Sequence, residues 1–96
     1  MKLQQIDNTY LVKGDITFKT VMSLWKIGAN FIQNNSQYCV FDLSQIKQCD
    51  SAGVALLVNW AKQANQAKKE VSFVNLSEKL TRMLKAYGLI HILMIE

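Results

Sequence analysis

Residues 38–65, YCVFDLSQIKQCDSAGVALLVNWAKQAN, carry a strand signal, a polar break and a helix signal in succession. Tyr38 to Leu43 is β-branched, aromatic or apolar almost throughout, the composition of a central strand covered on both faces. Lys47-Gln48-Cys49 reads as a loop, and a helix is predicted over about 51–66. Its start is unusually well furnished. Asp50 and Ser51 are both residue types that cap helix N-termini, while Ala52 and Gly53 carry almost no side chain. Capping accounts for Asp50 and Ser51. The two small residues suggest an access role, clearing room around the Ser51 hydroxyl for a partner, a modifying enzyme or an anion. Along the helix, Val54, Leu57, Val58, Ala61 and Ala64 form one apolar face, assigned to a sheet. Leu56 and Trp60, four residues apart, lie partly off that face. They read either as an exposed apolar pair beside Ser51 or, for Trp60, as a side chain tucked under a helix at 77–87.

Working outward, LQQIDNTYLVKGD predicts two short strands at about 2–6 and 9–14, with Asp7-Asn8 as the turn and Gly14-Asp15 ending the second. A helix follows, with Thr17 as its N-cap and a core face of Phe18, Val21, Met22, Trp25, Ala29 and Ile32, broadened by Leu24 and Phe31. Asn34-Asn35-Ser36 ends it. EVSFVNL (residues 70–76) alternates as a strand. SEKLTRMLKAYGL is a short helix capped by Ser77, with Leu80, Met83, Leu84 and Tyr87 inward, and Gly88 supplies the left-handed stop that folds Leu89 toward Leu84. The tail IHILMIE reads as a possible last edge strand. The order β-β-α-β-α-β-α(-β) predicts an α/β fold, a small sandwich with a mixed sheet of four to five strands and three main helices.

Length and composition narrow the function. Ninety-six residues, half of them apolar, make one small domain over 1–96 with a core of its own. The net charge of +4 is dispersed, and its denser second half reads as solvated helix faces or as a basic side toward anionic lipid or an acidic partner. One arginine and no basic run with interleaved aromatics argue against nucleic acid. No segment reaches the roughly 20 apolar residues needed to cross a bilayer. Cys39 and Cys49 lack metal or redox spacing and read as free thiols in a reducing cytosol. No G-x-S-x-G elbow surrounds Ser51, so pairing with His91 as a nucleophile is disfavoured. Asp42 and Asp50 do not form an acidic pair of the phosphoryl-accepting kind, and no catalytic set, metal site or cofactor is expected.

The stretch VFDLSQIKQCDSAGVALLVNWAKQANQAKKEVSFVNLSEKLTRMLKAYGL (residues 40–89) resembles the STAS domain, the module of anti-sigma factor antagonists and sulfate transporter tails. The pattern that carries it is a strand ending in Asp-Leu-Ser, a loop, then Asp-Ser-x-Gly opening an apolar helix, followed by a strand and a short helix ending near Tyr-Gly-Leu. Within that family the chain looks most like the stand-alone MlaB-type subunit of the Mla phospholipid transport system; Leu24-Trp25 and the short N-terminal region point the same way. The resemblance implies a non-catalytic cytoplasmic subunit, peripheral to the inner membrane, that binds a MlaF-like ABC transporter ATPase and through it a membrane permease. Its contact residues would be Asp50, Ser51, Ala52, Gly53, Leu56 and Trp60. The alternative is an anti-sigma factor antagonist that binds an anti-sigma factor kinase and is released by phosphorylation of Ser51.

Overall fold

The structure is a computed structural model that describes the backbone of residues 2–6 and all of residues 8–34 and 37–91. Its elements run β1 (Lys2–Ile6), β2 (Thr9–Ile16), α1 (Val21–Asn34), β3 (Tyr38–Cys49), α2 (Ser51–Gln66), β4 (Glu70–Val74) and α3 (Glu78–Ala86). The four strands form one sheet in the order β1-β2-β3-β4. β1 and β2 are an antiparallel hairpin, whereas β2–β3 and β3–β4 are parallel and therefore joined through α1 and α2. The predicted edge strand in the tail lies outside the described residues from position 92 on. Ile90 and His91 form a turn.

Two strands run further than the sequence suggests. β2 does not stop at Gly14, which takes φ +91° at an irregularity, and the ladder resumes at Asp15 and Ile16. Lys47-Gln48-Cys49 is the end of β3, not a loop. The register passes from Gly14↔Ile46 to Asp15↔Gln48, and an earlier shift takes Leu11↔Asp42 to Lys13↔Gln45. Each shift gives β3 one more residue than β2, a bulge that bends the strand without ending its pairing. The consequence is positional: Cys49 pairs with Ile16, so the start of α2 sits beside the turn that leads into α1.

The core is built around Phe41. Its ring stacks on Trp60 at 4.5 Å and 7°, and on Phe73 at 5.4 Å and 16°, while Phe31 meets it edge-on at 5.2 Å. On α1 the buried residues are Leu24, Gly28, Phe31 and Ile32, so the helix is turned relative to the predicted face. Phe18, Met22 and Trp25 are exposed at 69%, 70% and 38%. The reason is Gly28. A methyl there would overlap the Trp60 indole, and the missing side chain lets α1 lie against that ring. Leu56 and Trp60 are accordingly buried, not exposed, and the cover over Trp60 comes from α1, not from the helix at 77–87.

The remaining ends follow local rules. In α3, Ser77 accepts from Leu80 N–H, and Gly88 at φ +70° closes the helix with a bond from Leu89 N–H to Leu84 C=O. Leu80 and Leu84 are buried and Met83 is half-buried, but Tyr87 points to solvent, at variance with the expected inward position. α2 ends in the same motif with Lys68, φ +60°, where a glycine is usual. The Lys69 ammonium donates to the carbonyls of Ile32 and Gln33 and so caps the end of α1.

Candidate functional site at the start of the second helix

Asp50 alone caps α2. One carboxylate oxygen accepts from Gly53 N–H at 3.0 Å, and the other accepts from Phe18 N–H at 3.1 Å. The same side chain thus holds the helix start and the β2–α1 turn together. Those two backbone donors, Gly53 first, hold its pKa below the ordinary 3.8. The Ser51 side chain makes no hydrogen bond to any described residue, and Ser51 is exposed at the first position of the helix. Its hydroxyl is not needed for capping.

Gly53 has a reason other than access. It is buried, and a side chain there would run into Ile16 and the Cys49 sulfur. Its smallness lets α2 start against the end of β2; it does not clear the space around Ser51. Ala52 is half-buried and does face outward, onto a groove of about 490 Å³ between α1 and α2. Val21, Met22 and Trp25 form one wall; Ala52, Ala55, Leu56 and Asn59 form the other. Leu56 therefore contributes to the groove while remaining buried. Trp60 does not line it. Trp25 does, with its indole N–H donating to Asn59 Oδ1 at 3.1 Å across the gap. The surface beside Ser51 is thus formed by Phe18, Met22 and Trp25 of the α1 region, which sequence reasoning had placed in the core.

Other reactive groups near the site are quiet. Burial, and then the charge of Asp50, push the Cys49 thiol up to about 11, and burial raises Cys39 as well. Burial would raise Asp42, but hydrogen bonds from Ser44 and Asn75 outweigh it and lower its pKa. Asp42 and Asp50 are eight residues apart across two bulges, about six ladder positions or roughly 20 Å at ~3.3 Å per position, too far to act as a pair. Among the described residues no group of three His, Cys, Asp or Glu could hold a metal ion, and no helix is long and apolar enough to cross a membrane.

A mixed sheet with its helices attached through parallel crossovers, and a free serine opening the second of them, defines a STAS-type domain. Residues 5–96 match the family described as MlaB, STAS domain, and the chain belongs to that family. No curated protein matches it significantly. Among solved structures it is similar to a chain of the Acinetobacter MlaFEDB complex in its ATP-bound Vtrans2 conformation, with TM-score 0.86, 24% identity and all of both chains covered. It is also similar to an anti-sigma factor antagonist from Mycobacterium paratuberculosis, with TM-score 0.80, 18% identity, and 98% of this chain and 81% of that one covered. A third is the Bacillus cell fate determinant SpoIIAA in its phosphorylated form, with TM-score 0.71, 16% identity, and coverage of 99% and 89%.

Proposed function

We propose that this domain is a non-catalytic cytoplasmic subunit that docks on the ATPase of a Mla-type phospholipid-transporting ABC complex and stabilises or regulates it at the inner membrane. The observation that carries the reading is the division of labour at the start of α2. Asp50 caps the helix, so the exposed hydroxyl of Ser51 is free for a partner, and an apolar groove opens directly beside it. Family membership and full-length likeness to a chain of an MlaFEDB complex support the choice of partner. The contact surface comprises Asp50, Ser51, Ala52 and the edge of Leu56; Gly53 and Trp60 act from beneath it by fixing how α2 and α1 lie. The permease is reached through the ATPase.

Co-purification with the ATPase tests this. Ser51→Ala should leave the domain folded, because the hydroxyl carries no structural load, and should weaken capture only by the one hydrogen bond it offers the partner. Ser51→Glu should lose it, since a carboxylate must be desolvated where a small neutral group sat. Undiminished capture by Ser51→Glu would sink the docking reading.

The second reading, an anti-sigma factor antagonist switched by phosphorylation of Ser51, draws on the exposure of that hydroxyl and on the likeness to SpoIIAA. A phosphate there would add close to two negative charges to the surface while sitting in the favourable field of the helix N-terminus. Intact-mass analysis of the protein from its native cells, together with an anti-sigma factor kinase as the captured partner, would decide for it.

A further inference from the structure

The groove beside Ser51 has a chemistry that specifies its occupant. α1 and α2 run parallel, since Phe18 N–H reaches Asp50 at their starts and Ile32 approaches Gln63 near their ends. They touch at Gly28 and Trp60. Their two N-termini therefore lie together at one end of the groove, where the ionised Asp50 carboxylate offsets their partial positive charge. Neither helix contains an Asp or Glu. The exposed charges on the two helices are Lys26 and Lys62, whereas Lys19, in the turn before α1, shares a cleft with Asp15 and Asp50. The α2 wall is apolar at Ala52, Ala55 and Leu56. The α1 wall holds Trp25, pinned by its bond to Asn59, and Met22, whose flexible side chain adapts to what enters.

We propose that this groove receives an apolar helix of the ATPase whose flanks carry acidic side chains. The proposal rests on the docking reading above and names what fills the surface next to Ser51. A concave site with one pinned wall suits a helix laid into it, read at i, i+3 and i+4, better than it suits a flat bilayer. Lys26 and Lys62 then meet acidic flanks, which speeds encounter and sets orientation.

The test uses the purified protein and the ATPase of the same transport system, with binding followed by calorimetry. Met22 is exposed, so Met22→Lys leaves the fold intact, as circular dichroism would verify. It should weaken binding by at least about tenfold, the loss expected at a central apolar anchor. The pair Lys26→Glu and Lys62→Glu should weaken it further and flatten its salt dependence. A photo-crosslinking residue at position 22 should trap an ATPase peptide with apolar residues at helical spacing and Asp or Glu on either side. Binding by Met22→Lys equal to wild type, with Ser51→Glu still inactive, would overturn the groove proposal and leave the docking reading standing. Failure of the wild type to bind the ATPase at all would remove both. Sedimentation with phosphatidylglycerol-containing vesicles in the absence of ATPase, abolished by Met22→Lys, would overturn the proposal in favour of a membrane surface.

Discussion

Asp50 and Ser51 are neighbours with opposite commitments, and each commitment has a measurable consequence. The Asp50 carboxylate binds its proton more weakly in the folded protein than in the unfolded chain, because ionised oxygens accept from Gly53 and Phe18. Its contribution is therefore complete above the ordinary value of 3.8 and is lost as pH falls through the lower folded value. An Asn side chain has one accepting oxygen instead of two, so Asp50→Asn strands one of the two backbone donors. Thermal melts should find Asp50→Asn less stable than wild type at pH 7, with the gap narrowing as pH falls below 3.8; a gap of constant size would count against this account. Cys49 lies one residue earlier and behaves oppositely, its thiol held protonated with a pKa of about 11. At pH 8 about one molecule in a thousand carries the thiolate, so alkylation should run roughly a hundredfold slower than for an ordinary exposed cysteine. Rapid labelling of Cys49 would show that the start of α2 opens.

At the scale of elements, α1 shows why some of this was legible in the sequence and some was not. The order of strands and helices, both α2 boundaries and the two ends of α3 followed from patterns each of which has one local cause. The face of α1 did not. Two apolar stripes lie side by side on it, one through Phe18, Met22 and Trp25 and another through Leu24, Gly28 and Phe31. Hydrophobicity favours the first, because a glycine adds nothing to the count; the second is buried because Gly28 accepts the Trp60 ring. That contact joins residues 32 positions apart and has no sequence signal of its own. The same blind spot left Trp60 either on the surface or under the helix at 77–87, and it put Lys47–Cys49 in a loop, since bulges in β3 are set by pairing with β2. Gly28→Ala should therefore cost about 1–3 kcal/mol by overpacking. In a Trp60→Leu background the space is open, and the same change should gain up to about 1 kcal/mol from helix propensity. Equal effects in both backgrounds, measured by urea unfolding, would mean that Trp60 is not the obstacle. Lys68 is a simpler case. It holds φ +60° at the end of α2, so Lys68→Gly should raise stability by about 1 kcal/mol, seen as a higher urea midpoint with unchanged slope.

For the molecule as a whole, the forces that hold the fold are separate from those assigned to binding. The fold rests on the Phe41 cluster, on helix ends closed mainly by neutral or backbone groups, on the Lys69 ammonium at the end of α1, and on one carboxylate clamp. Among the described residues the sole ion pair is Arg82–Glu78, at 3.8 Å on the exposed side of α3. A solvent-exposed i, i+4 pair of this kind contributes about 0.3–0.5 kcal/mol and is screened by salt. The chain carries +4, and dissolved salt also relieves its self-repulsion. These small effects oppose each other, so the melting temperature should move by no more than a few degrees between low salt and 0.5 M sodium chloride, a concentration at which the screening length is only about 4 Å. Docking should respond differently, because Lys26 and Lys62, with no carboxylate on their own helices, would meet the acidic groups of the proposed partner, an attraction screened over the same range. Affinity for the ATPase should fall severalfold, chiefly through slower association. Titrating salt against both observables on one preparation separates them. Parallel loss of stability and binding would mean that ion pairs hold the fold, and the apolar account of the core would have to be abandoned.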